Sequence, residues 1–149
     1  MTKILRAGLF ALAAFAAYAA GGAAAEGFVL RAPAVLFDGP SREAAKLFIL
    51  DAGHPLRQVS RVDGWRKAQL HGGEIGWVQD SLARQKRAAV VAEDLAAVRV
   101  SPSPSAAPVF YARKGVILEV LGESDGWLEV LHAGGETGYA PSAALWKND

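Results

Sequence analysis

The chain repeats itself. Residues 34–83 laid over residues 96–145, a shift of 62 without a gap, are identical at fifteen of fifty pairs. The matches include Pro40-Ser41 with Pro102-Ser103, Gly53 with Gly115, and Asp63-Gly64-Trp65 with Asp125-Gly126-Trp127. Gly72-Gly73-Glu74-x-Gly76 also coincides with Gly134-Gly135-Glu136-x-Gly138. These are turn residues, the positions where backbone geometry tolerates few alternatives. A period of 62 exceeds the roughly 20–50 residues of a solenoid unit. It suits two small modules in tandem, each with a core of its own.

Within a repeat the pattern is strand and turn. In the second copy Val109–Ala112, Val116–Leu121, Trp127–Leu131 and Thr137–Ala140 are apolar or β-branched runs. Between them lie glycine-bearing segments that supply the positive φ of hairpin turns. Ser101-Pro102-Ser103-Pro104-Ser105 can join neither a ladder nor a helix and reads as a surface loop. Gly27–Ala32 reads as a leading strand that closes the first module, and Leu82–Val91 as a short helix or an extended connector. The expected fold is therefore all-β: two antiparallel barrels of about five strands each. Their bounds are 26–83 and 93–149, with 84–92 as a linker.

Ahead of the repeats, Lys3 and Arg6 precede the apolar stretch Ala7–Ala20, and Ala23-Ala24-Ala25 satisfies a small-x-small cleavage rule. Residues 1–25 read as a secretory signal peptide, with a retained anchor as the alternative. The expectation is export to the periplasm or medium, without stable membrane insertion after cleavage. From Glu26 onward 14 basic side chains face 15 acidic ones. Glu26–Ala92 holds ten basic and seven acidic residues, Glu93–Asp149 four and eight. No concentrated basic face suggests nucleic-acid binding. Arg84-Gln85-Lys86-Arg87 is the one dense basic run, explained by a solvated linker. The chain has no cysteine, so an apolar core, and contact between packed barrels in a monomer, must hold it.

A first strand, a Pro-Ser loop, a strand ending at glycine, an apolar strand, Asp-Gly-Trp, a glycine hairpin and Gly-(Trp/Tyr) together resemble the bacterial Src homology 3 domains of exported proteins. Both repeats show this order. The resemblance implies a pair of five-stranded partly open barrels and non-catalytic binding of cell-wall peptides or protein partners. Thr137-Gly138-Tyr139-Ala140-Pro141-Ser142 resembles the closing segment of eukaryotic relatives, whose Tyr and Pro contact proline-rich peptides. The aromatic ring those domains use is incomplete here: Ala96–Val100 offers no aromatic residue, and Gln79 stands where repeat one would need the proline.

Candidate ligand-binding residues are Trp65, Trp77, Trp127, Tyr139, Pro141, Glu74 and Glu136. The rings either seal the barrels or line a groove beside polar groups. Trp146 is expected to pack the C-terminal tail, and Phe48 and Phe110 to be core. Asp63, Arg66 and Lys67 are the further charged groups a wall peptide could meet. His54, His71 and His132 are separated in sequence and do not coincide under the shift, so no metal site or shared base is expected. Glu74 and Glu136 could cleave a glycan only if brought together, and each follows a Gly-Gly turn. No nucleophile elbow or phosphate loop occurs. The function expected is binding without catalysis or cofactor. Its partner is peptidoglycan stem peptide or, alternatively, an envelope protein that uses the chain as a scaffold.

Overall fold

The computed structural model describes residues 26–149; the signal-peptide assignment for 1–25 lies outside them. The described residues form two seven-stranded antiparallel sheets. The first contains β1 (Gly27–Leu30), β2 (Ala34–Phe37), β3 (Lys46–Leu50), β4 (Pro55–Val62), β5 (Trp65–Gln69), β6 (Ile75–Gln79) and β7 (Ala83–Gln85). The second contains β8 (Ala88–Val91), β9 (Leu95–Arg99), β10 (Pro108–Arg113), β11 (Ile117–Ser124), β12 (Trp127–Leu131), β13 (Thr137–Pro141) and β14 (Leu145–Lys147). Strand order is β3-β2-β6-β5-β4-β1-β7, repeated as β10-β9-β13-β12-β11-β8-β14. The duplication thus holds for topology as well as for turns.

Each module closes on a leading and a final strand, which brings the count to seven rather than about five. The stretch 84–92, expected to be a linker, is mostly strand. Ala83–Gln85 and Ala88–Val91 belong to the two sheets and leave only Lys86 and Arg87 between them. The leading strands also break the ungapped shift. Gly27 pairs with Arg57, whereas Ala88 pairs with Glu119, so these strands correspond at 61 while their partners correspond at 62.

Alternation along the strands sorts side chains inward and outward. In the first core Phe28, Leu36, Leu56, Ala68 and Val78 are fully buried. In the second, Ala89, Val98, Leu118, Leu128, Val130 and Ala140 are. The Asp63-Gly64 and Asp125-Gly126 turns take positive φ at both residues (33° and 85°, 51° and 80°), the two-residue hairpin geometry that Asp-Gly favours. Gly138 answers a different need. A Cβ there would lie 2.6 Å from Val98 Cγ1 and 2.8 Å from the Arg99 carbonyl oxygen. Gly138→Ala is therefore expected to cost about 1–3 kcal/mol through overpacking. An unchanged urea midpoint would contradict that expectation.

The modules are joined by a buried side chain. Asn148 is fully buried, accepting from the Ala88 N–H through Oδ1 (2.9 Å) and donating through Nδ2 to the carbonyls of Phe28 (3.1 Å) and Lys86 (3.0 Å). One amide thus bonds both leading strands and the link between them. Beside it, Arg57 donates to the Lys147 carbonyl at 2.6 Å and lies 4.9 Å from the Trp146 ring centroid. Trp146 therefore packs the C-terminal strand against the first module.

Candidate functional site

On β12 and β13 the inward residues Leu128, Val130 and Ala140 are fully buried, which turns Trp127, Glu129 and Tyr139 to the opposite face. Glu129 stands directly across from Tyr139, and Trp127 across from Pro141. The β11–β12 hairpin carries a bulge between Val120 and Gly122 that sets Gly122 opposite Glu129. Bulges commonly re-aim a strand in this way. The result is a groove of about 460 Å³ lined by Pro102, Gly122, Glu123, Ser124, Asp125, Trp127, Glu129 and Tyr139. Both rings are half-buried and line the groove.

The groove is acidic. Glu123 is held by Lys147 at 2.8 and 3.0 Å and by Arg87 at 3.2 Å. The Lys147 hydrogen bond above all keeps its carboxyl below the usual range. Glu129 and Asp125 have no ion-pair partner among the described residues. Two unneutralised carboxylates beside two aromatic rings suit a ligand ammonium, since a cation gains from both a carboxylate and a ring face.

The first module keeps the aromatics and reverses the charge. Under the shift of 62, Trp65, Trp77, Pro40 and Asp63 stand where Trp127, Tyr139, Pro102 and Asp125 do, but Arg61 and Lys67 replace Glu123 and Glu129. Lys67 Nζ lies 5.8 Å from the Trp77 ring centroid. Phe37 meets Trp65 edge-on at 5.6 Å, where the second module has Arg99 donating to the Ala106 carbonyl at 2.8 Å. The duplicated aromatic pair thus carries its own cation and an extra ring.

Of the sequence candidates, Trp127 and Tyr139 meet in one groove, with Pro141 paired to Trp127 at the strand end. Trp65 and Trp77 lie on the equivalent face of the first module. Glu74 and Glu136 sit in the β5–β6 and β12–β13 turns, at the opposite ends of those hairpins from Trp65 and Trp127. Glu136 instead lies 3.3 Å from His132. Its carboxyl is lowered, first by its own backbone N–H and then by the His132 hydrogen bond.

Three expectations need correction. The Arg66 side chain is only 12% exposed: Nε donates to Asp80 and Nη1 to Gln58 Oε1 at 3.0 Å, and the guanidinium covers the Phe28 ring at 5.1 Å. It is part of the first core. Phe48, on the edge strand β3, is exposed, whereas its counterpart Phe110, on the equivalent edge strand β10, packs on the second core with the His132 ring 5.6 Å away. The histidines are not all apart. His54 and His71 lie 6.3 Å apart, and His71 lies 6.4 Å from Trp146. Burial, then the neighbouring His71, lowers the His54 pKa. Among the described residues no group of three or more His, Asp or Glu could hold a metal, and no helix is long and apolar enough to cross a membrane.

Glu129 was missed, although its position two residues from Trp127 on a strand already implied a shared face. Its module-one counterpart being lysine removed it from any list of matches.

No protein of curated function matches the chain. Among solved structures it is similar to NlpC1 from Trichomonas vaginalis, at 15% identity and TM-score 0.38, over 81% of this chain and 45% of that one. It is likewise similar to an NlpC/P60 family protein from Bacillus cereus, at 13% identity and TM-score 0.38, over 81% of this chain and 56% of the other. The chain thus spans about half the length of these proteins. The family model of the bacterial SH3 domain matches twice, at residues 31–84 and 92–147, so the chain belongs to the bacterial SH3 domain family and carries two copies of its domain.

Proposed function

We propose that this tandem is a non-catalytic binding module of the cell envelope that recognises peptidoglycan stem peptide through the Trp127–Tyr139 groove. The observation that carries the reading is Glu129, unpaired among the described residues, facing Tyr139 across the ladder with Trp127 beside it. A stem-peptide amine would sit against Glu129 and Asp125 while its aliphatic portion lies along the rings. The reading requires export and no cofactor.

The test is cosedimentation of the protein with purified sacculi. Binding is expected to be displaced by soluble muropeptide and weakened roughly tenfold or more, about 1.4 kcal/mol, in Trp127→Ala and in Glu129→Gln. Failure of the wild type to sediment, or folded variants that bind as it does, would overturn the reading.

A second reading, a protein-interaction scaffold, rests on β3. This edge strand pairs only with β2 and exposes Leu47, Phe48 and Ile49, the last at 82%. Edge strands of this kind accept an added strand. It predicts no sacculus binding and a specific envelope protein crosslinked through β3.

A further inference from the structure

A cavity of about twice the volume of the aromatic groove lies elsewhere in the described residues. It lies between the modules and encloses about 910 Å³. Val29, Leu30 and the Gly53 turn form one wall, Ile117, Leu131 and the His132 turn the other, with Arg84, Lys86 and Ala88 along the connection. It therefore exists only when both modules are docked, and clefts at domain junctions are preferred ligand sites, commonly of about 300–1,000 Å³.

Its unpaired charge is positive. Lys86 is neutralised by Glu119 at 2.6 Å, and Glu119 is the one carboxylate of the lining. Arg31 and Arg84 have no ion-pair partner among the described residues. Arg31 is also oriented: its Nε donates to the Ala83 carbonyl at 3.1 Å, which leaves both terminal nitrogens for another acceptor. Such a fork matches a carboxylate in two-point contact. Val29 and Leu30 are themselves buried, so the open apolar surface beside these cations is that of Ile117 and Leu131 in the second module.

We propose that this inter-module groove is a second binding site, for an extended segment of a partner protein that alternates carboxylates with aliphatic side chains. The carboxylates meet Arg31 and Arg84, and the aliphatic groups cover Ile117 and Leu131. A bare anion would bury none of that apolar surface. Two free cations are too few to track a nucleic-acid backbone. The Asn148 hydrogen bonds hold the two walls in place before the ligand arrives, which lowers the ordering cost of binding.

The test is fluorescence anisotropy of the protein with labelled acetyl-Glu-Leu-Glu-Val-Glu-amide, and with the same peptide carrying lysine for glutamate. The acidic probe is expected to bind saturably and weaken with salt, without competition from the lysine probe. Arg84→Glu is expected to reduce its affinity roughly tenfold or more, and Arg31→Gln to reduce it less. Glu129→Gln, in the aromatic groove, should leave it unchanged. Arg84 is exposed and without side-chain partners among the described residues, so its substitution leaves the fold intact; a thermal melt verifies this. Equal binding of both probes, undiminished binding by folded Arg84→Glu, or no saturation up to about 1 mM would each overturn the site. Loss of binding in Glu129→Gln would reassign the probe to the aromatic groove.

Discussion

Replacing Asn148 with alanine is expected to lower the melting temperature by about 10 °C, the largest effect of any change at the end of the chain. The substitution removes the groups that satisfy the Ala88 N–H and the Phe28 and Lys86 carbonyls. Each polar group left without a partner in a buried joint costs about 1–3 kcal/mol. A net loss of about 3 kcal/mol, part of it relieved by entering water, corresponds to that shift in a domain of this size. No isostere rescues it: aspartate keeps the acceptor but loses both donors. A melting temperature within about 2 °C of wild type would show that the joint contributes little.

The second large effect is expected at Arg66, and it depends on what is changed with it. Arg66→Ala leaves the Gln58 amide without its partner and the part-exposed Asp80 carboxylate with Arg61 alone, a loss of about 2 kcal/mol for hydrogen bonds to a charged group. The second module solves the same problem without charge: Val120, Leu128 and Ser142 stand at the positions of Gln58, Arg66 and Asp80. The triple variant Gln58→Val, Arg66→Leu, Asp80→Ser is therefore expected to return to within about 1 kcal/mol of wild type, as largely apolar replacements of buried pairs often do. Acid sensitivity separates the variants further. The Arg66 hydrogen bond, with Arg61, holds Asp80 below its ordinary value of 3.8. That lowered carboxyl contributes stability present above its ordinary value and lost as pH falls through the depressed one. The triple variant should lack this component. Chemical denaturation at neutral pH and below pH 4 measures both. A triple variant no more stable than Arg66→Ala would show that the two cores are not equivalent solutions.

The turns were legible because their chemistry is local. Asp125-Gly126 and Gly134-Gly135 placed the β11–β12 and β12–β13 hairpins, and the second-module strands followed to within a few residues. The leading strand of the second module was not legible. It is offset from the first by one residue relative to the rest of the repeat, so Ala88-Ala89-Val90-Val91 never aligned with Gly27-Phe28-Val29-Leu30. A charged neighbour such as Arg84 then suggested solvent rather than an edge strand, though an edge strand can carry both. Arg66 was taken as surface because arginine usually is. Its burial depends on Asp80, fourteen residues away and on another element, which no local pattern encodes. At the site, the aromatic pair could be seen but not its acid. Glu74 and Glu136 were conspicuous because they coincide, yet coincidence marked the shared turn, while Glu129 differs between the copies and gives the groove its charge.

The bond between Asn148 and Phe28 closes a span of 120 residues, and it has a bearing on the order of assembly. A chain made from its N-terminus can complete the first sheet once β7 has emerged, and most of the second by β13. The docking of the two cannot be locked until Asn148 is available. The inter-module groove is thus the last surface to mature, and a chain lacking Asn148 would hold it only through Arg57, Trp146 and the contact of the two leading strands.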